Sequence, residues 1–223
     1  MQRHGFQLLI SDPYTYILWE GNNFIIVTVW VDNLLLFTTI DELIECIKAN
    51  LKAKWKLTDL GEPVKIVRIK ITLGDHSITI SQHRYLEYIL QKEGMDRANP
   101  VSMPLDLEVK LEPNLDGNAG DRSNLYAQLI GELQFIVNAT RPNIAYAISR
   151  LSSYTANPMM QHVSALKWVL RYLSETKSHS ITYSNVLGHP NYFHGYTNTL
   201  FGNADSCKLT TGYVFKMASG AIT

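Results

Sequence analysis

The sequence predicts an α+β fold, on three observations. Before residue 81, β-rich apolar runs alternate with short polar breaks. From 81 to about 175 the apolar residues recur at helical spacing. After 180, short strand-like pieces return.

Residues 24–39 read FIIVTVWVDNLLLFTT, two apolar runs around a polar break, which predicts a hairpin turning at Asp32-Asn33. Asp41 then opens a helix: Leu43, Ile44, Ile47 and Leu51 share one face, and lysines gather toward the end that the helix dipole makes favourable for cations. The run Asp59-Leu60-Gly61-Glu62-Pro63 breaks it. A second hairpin follows, with VKIVRIKI as one strand, a turn at Gly74–Ser77 and a return through Ile78-Thr79-Ile80. Its polar face is expected to carry Lys65, Arg68 and Lys70.

Ser81 is a suitable N-cap for a helix bearing Tyr85, Leu86, Ile89 and Leu90 and ending near Gly94. Residues 96–121, rich in Pro, Asn, Asp and Gly, predict a long surface connection. Helices are expected around 123–138, 141–155 and 160–175, with Thr140 as an N-cap, Pro142 in an early helical position, and Asn157-Pro158 separating the last two. In the tail, Ile181-Thr182-Tyr183, Tyr192-Phe193 and Gly212–Phe215 read as short strands. The expected divisions are 1–95, a connection over 96–122, a helical part over 123–177, and a strand-rich segment over 178–223.

The composition is that of a folded globular chain, which excludes a disordered or collagen-like class. The formal charge of zero argues mildly against a nucleic-acid binder, although a neutral total can hide a basic stripe. Cys46 and Cys207 follow no metal-ligand spacing, and a reducing compartment with two thiols is expected. The amino terminus lacks a signal-peptide run, and the apolar stretch Phe24–Phe37 is too short to span a bilayer. The expectation is an intracellular chain, in cytoplasm or nucleus, with no membrane partner.

Asp32, near the tip of an apolar hairpin, is the most suggestive single residue. A polymerase that transfers nucleotides between two magnesium ions about 3.5–4 Å apart needs carboxylates on rigid backbone. Taken alone, the segment reads more simply as an ordinary polar turn. The wider sequence changes that balance. WVDN resembles the YVDD box of copia-type reverse transcriptases. Upstream, Gly5-Phe6 and Ser11-Asp12-Pro13 through Tyr16 resemble the stretch preceding that box. Downstream, KLTDLGE, ISQHRYLEYIL, Gly94-Met95 with Asn99-Pro100, YAQLIGELQFIVNATRPNIAYAISRLSSY, HVSALKWVLRYLSET and TTGYVFKMASGAIT follow in the family's order.

The resemblance implies a partial palm, a helical thumb and connection, and the opening strands of a ribonuclease-H-like segment. It also implies Mg2+ as cofactor and an RNA/DNA primer–template as partner. Asp32 would be the metal-binding acid. Asn33 stands where the family has its second aspartate, and Asn198, within GYTNTLFGNADS, stands at the ribonuclease H acid; Asp205 nearby reads as a loop acid. The family's other polymerase carboxylate lies on an earlier strand, before the region matched by Gly5-Phe6, and the later acids of the ribonuclease H domain would follow Thr223. The expectation is therefore a remnant of an RNA-directed DNA polymerase that is inactive as this chain. The rivals are a noncatalytic nucleic-acid-binding module and a protein partner of an intact Pol.

Lys65, Arg68, Lys70 and Gln82, the last in the family's Ser-Gln-x-x-Tyr stretch, are the expected nucleic-acid contacts. Arg68 stands where the family's hairpin usually has glycine. Lys48, Lys52, Lys54 and Lys56 read as a solvated helix end. Arg141, Arg150, Lys167 and Arg171 are expected to be structural or solvated. His189 and His194 have no metal spacing, and Trp30, Trp55 and Trp168 offer no stacking platform.

Overall fold

The computed structural model describes residues 5–106, 108–115, 122–184, 192–200 and 210–222. The chain forms two compact units, Met1–Pro63 and Val64–Thr223.

The first unit is an antiparallel sheet with one helix. Its strands are β1 (Gln7–Leu8), β2 (Thr15–Glu20), β3 (Asn23–Trp30) and β4 (Asn33–Thr38), in that order across the sheet. Helix α1 (Asp41–Lys52) follows, with Asp41 and Glu42 in its first turn and Lys52 in its last, as the helix dipole favours. Cross-strand pairing places Leu18 opposite Ile25, Tyr16 opposite Val27, and Leu36 and Leu34 opposite Val27 and Val29. These residues share the covered face, where Phe6, Ile25 and Val27 are buried and Ile47 of α1 packs against them. The other face carries Ile17, Trp19, Phe24, Ile26, Leu35 and Phe37; Trp19 and Phe37 are exposed. Among the described residues, nothing pairs with the outer edge of β4.

The β3–β4 turn corrects the sequence expectation. Val31 and Asp32 form it, and Asn33 already belongs to β4, opposite Trp30. A turn centred on Asp32-Asn33 would slide the pairing by two residues, removing Leu36 from buried Val27. Side-chain burial fixes the register, at the cost of a valine at φ +50°.

The second unit begins with β5 (Lys65–Ile66), β6 (Ile69–Gly74) and β7 (Ser77–Ser81). VKIVRIKI is not one strand: the chain reverses at Val67-Arg68, both left-handed (φ +43° and +64°), as a two-residue turn with both central φ positive requires. Strand β8 (Ile181–Ser184) completes this sheet by pairing with β7, so the expected divisions at 95 and 178 both fall inside one continuous unit. That pairing joins residues about a hundred positions apart, which local periodicity cannot reveal.

Helix α2 (His83–Lys92) has Gln82 and not Ser81 as its N-cap, although Ser81 Oγ accepts the His83 N–H at 3.2 Å. It ends at Gly94 (φ +64°), where Gly94 and Met95 donate to Gln91 and Leu90 and Met95 folds back onto the core. Helices α3 (Arg122–Ala139), α4 (Ala145–Ser152) and α5 (Met160–Glu175) complete a core that includes Leu86, Leu133, Ile148 and Leu170. The described parts of the 96–121 connection are more than surface chain: Leu105 and Leu111 are buried, and Trp168 and Arg171 donate to the Met103 and Asn99 carbonyls.

Pro142 begins a single 3-10 turn, Pro142–Ile144, whose N-cap is Arg141 rather than Thr140. Arg141 is almost fully buried and donates to the Thr176 carbonyl and hydroxyl at the C-terminal end of α5, where a cation suits the helix dipole. A third sheet, β9 (His194–Leu200), β10 (Thr210–Met217) and β11 (Gly220–Ala221), has the order β11-β10-β9. Gly220 packs against the Tyr183 ring where a Cβ would collide. His189, Asp205 and Cys207 lie outside the described residues.

Candidate functional site

Asp32 stands exposed at the hairpin apex, held by two paired strands. A hollow of about 620 Å³ lies alongside, lined by Asp32, by Leu34 and Leu36 of β4, by Ile44, Lys48 and Leu51 of α1, and by the 56–63 loop. The lysines beneath are not free to meet a ligand. Lys48 bridges to Glu45 at 2.9 Å and Asp59 at 3.1 Å, and Lys52 reaches Asp59 at 3.5 Å. The Gly61 N–H, donating to the Asp59 carboxylate, and then Lys48 hold its pKa below the ordinary value; the Glu45 and Asp59 carboxylates raise that of Lys48.

Asn33 is exposed beside Asp32 and offers a neutral amide. Among the described residues no three His, Cys, Asp or Glu side chains come together as a metal site. One carboxylate and one amide do not fit a two-magnesium clamp, which needs opposed acidic oxygens. Asn198 lies exposed on β9 opposite Gly212, and a neutral amide in an open strand supplies no metal charge either.

The expected nucleic-acid contacts divide. Lys65 and Lys70 are exposed and directly opposite each other on β5 and β6. Arg68 is exposed at the turn, with its guanidinium 4.8 Å from the centre of the Tyr85 ring. Gln82 contradicts the expectation: it is 1 % exposed, its amide oxygen accepts the Thr140 hydroxyl proton at 2.8 Å, and it belongs to the interior. A glutamine directly after a strand gives no signal of burial, because its partner lies far along the chain.

Sequence reasoning also missed a stack. Tyr85 and Tyr88 are nearly parallel, with ring centres 6.3 Å apart, and Phe135 meets Tyr85 edge-on. Their i,i+3 spacing on a helix was the available signal. Burial, before any charge effect, raises the Tyr85 pKa.

Residues 1–107 match a family described as reverse transcriptase (RNA-dependent DNA polymerase). The chain is 33 % identical over 232 aligned positions to the retrovirus-related Pol polyprotein from transposon TNT 1-94 of Nicotiana tabacum, covering 100 % of this chain and 17 % of that protein. It is 29 % identical over 211 positions to the corresponding polyprotein from transposon RE1 of Arabidopsis thaliana, covering 94 % of this chain and 14 % of the relative. A secreted RxLR effector protein of Plasmopara viticola is 31 % identical over 99 positions, which cover 44 % of this chain and 68 % of the effector. No solved structure matches.

The mixture of helices and antiparallel sheets and the whole-chain similarity are consistent with an α+β protein like a reverse transcriptase. The chain belongs to the Pol proteins of copia-type retrotransposons, in their reverse transcriptase region. It spans less than a fifth of the length of these Pol relatives. No helix among the described residues is long and apolar enough to cross a membrane.

Proposed function

We propose that this chain is a noncatalytic remnant of a reverse transcriptase, without polymerase activity of its own. The observation that carries this reading is the apex: Asp32 is its single carboxylate, followed by the amide of Asn33. Transfer of a nucleotide to a primer 3′-hydroxyl requires charge stabilisation at both the attacking and the leaving oxygen, and one acid cannot hold two metal ions. The test is primer extension on an RNA template with magnesium or manganese. No labelled nucleotide should be incorporated, and Asn33→Asp should not restore activity, because among the described residues no group of acids able to hold a metal stands at this turn. Incorporation by the unaltered chain that Asp32→Ala abolishes would overturn the reading.

A retained, sequence-independent grip on an RNA or DNA primer–template is the second part of the proposal, and the juxtaposed Lys65 and Lys70 favour it. Two exposed ammonium groups on paired strands repel each other unless an anion lies between them, and a phosphate backbone supplies that anion. Lys48 and Lys52, committed to Asp59, contribute less. A salt titration of duplex affinity separates the sets: Lys70→Ala should lower the slope of log K against log salt by about 0.9, and Lys52→Ala should leave it unchanged. Equal effects would remove the basis for this assignment.

A further inference from the structure

We propose that Tyr88 is a stacking residue for an unpaired base of a bound nucleic-acid strand, with Arg84 holding that strand's phosphate. The inference rests on the reading that the chain retains a nucleic-acid grip, and it names the group that meets the bases.

Tyr88 is 53 % exposed on α2, so much of its ring is open to a ligand. It is also held in place. Tyr85 lies nearly parallel beside it (interplanar angle 11°), and Tyr85 is fixed in turn by Phe135 edge-on and by the Arg68 guanidinium over its face. A ring held this way presents a stacking surface with little further ordering to lose on binding.

The surroundings select the ligand. One helical turn before Tyr88, on the same side of α2, stands exposed Arg84. Beyond Arg68, on the hairpin that touches Tyr85, stand Lys65 and Lys70. Of the nearby acids, Glu132 is engaged with Lys92 at 2.9 Å, and the Glu87 carboxylate lies 3.3 Å from His83 Nε2, which pairs with it only when the imidazole is protonated. An exposed aromatic face near cations that form no ion pair with the described residues suits a single strand, whose bases offer free π faces and whose phosphates offer regular charge. A duplex hides its base faces, and an acidic peptide does not pair every charge with a flat ring as a nucleotide strand does.

The test is fluorescence anisotropy of the full chain with a labelled twelve-residue oligothymidylate and a matched duplex. Tyr88→Ala should weaken single-strand binding about tenfold and leave the salt slope unchanged, while Tyr88→Phe should stay near wild type. Arg84→Ala should lower the single-strand slope by about 0.7. Duplex affinity should be little changed by Tyr88→Ala. Single-strand binding that Lys70→Ala weakens and Tyr88→Ala does not would overturn this inference and spare the grip itself. Binding of neither nucleic acid would overturn both. Equal losses for single strand and duplex in Tyr88→Ala would show Tyr88 to be a structural residue.

Discussion

The two units spend similar apolar sequence very differently. In Val64–Thr223, helices α2 to α5 turn their apolar stripes toward one another, and Leu133, Ile136, Ile148, Leu151, Leu170 and Leu173 are essentially inaccessible. In Met1–Pro63, β2, β3 and β4 are apolar on both faces, yet α1 and Phe6 cover only one, and Phe6, Ile25, Val27 and Leu51 are the buried apolar residues there. Hydrophobic content therefore does not set local stability; what decides it is whether a second layer reaches the apolar face. The helical unit should be the firmer of the two.

The largest effect expected from this difference is in the helical core. Leu133→Ala removes a fully buried side chain among packed neighbours and should cost about 2–5 kcal/mol. Urea unfolding can separate the units by their own indoles: Trp19, Trp30 and Trp55 report on the first, Trp168 on the second. Trp168 should unfold at the higher urea concentration, and Leu133→Ala should move its transition far more than the other. A single coincident transition for all probes would break the comparison.

Next in size is the contrast between the faces of β3. Val29 shares the covered face with Val27 and lies opposite Leu34, so Val29→Lys should destabilise the first unit by about 1.5–3 kcal/mol. Ile26 points to the other face, opposite Ile17 and Phe37, and Ile26→Lys should cost under about 1 kcal/mol. It should also raise solubility, since an uncharged, proline-free β3 with an apolar open face is prone to associate. Equal destabilisation by the two lysines would show that the open face is covered in solution.

A third expectation concerns acid and only the helical unit. His162 is fully buried against the Tyr154 ring, with centres 4.0 Å apart; its Nδ1 accepts the Met159 N–H at 2.8 Å, and Nε2 has no hydrogen-bond partner among the described residues. Burial lowers its pKa below the ordinary 6.5, with the Glu112 backbone acting in the opposite sense. Below pH 6.5 the unfolded chain takes up a proton that the folded chain resists, so stability rises with pH in that range. The contribution is fully present above about pH 6.5 and is lost as pH falls through the lowered native value. The Trp168 transition should weaken between pH 7 and 5, and His162→Phe should flatten that slope. An unchanged slope in the variant would assign the acid sensitivity elsewhere.

The sequence revealed elements more readily than partners. Helical spacing at Tyr85, Leu86, Ile89 and Leu90, and later at Leu166, Val169, Leu170 and Leu173, predicts helices that the structure contains, because a stripe of period 3.6 is a local property. One turn lies a residue earlier than Asp32-Asn33 and another interrupts VKIVRIKI, which reads as one strand, since valine is a poor residue for either turn. Tertiary register overrode that preference. Asp32, Asn33 and Asn198 were nameable from family order, but the burial of Gln82 against Thr140 and the commitment of Lys48 to Asp59 depend on contacts that spacing does not encode.

The smallest expected effect compares the two valine-bearing turns themselves. Val31 in the first unit and Arg68 in the second both occupy left-handed backbone, φ +50° and +64°, which costs an ordinary residue about 1–2 kcal/mol. Glycine removes that cost but gives back about 0.5–1 kcal/mol through its greater freedom in the unfolded chain. Val31 is 82 % exposed and forfeits little packing, so Val31→Gly should leave a net gain of up to about 1 kcal/mol. Arg68→Gly earns the same backbone relief but loses the guanidinium over Tyr85, worth about 0.5–1 kcal/mol at an exposed site. Its net effect should be close to zero, with Tyr85 more accessible in compensation. Arg68→Lys separates the two contributions: it keeps the left-handed cost, replaces a flat stacking group with a compact ammonium, and should be the least stable of the three. Parallel urea midpoints for Val31→Gly, Arg68→Gly and Arg68→Lys measure the balance. Equal gains from the two glycines would mean that the Arg68–Tyr85 stack contributes nothing to the hairpin's hold on α2.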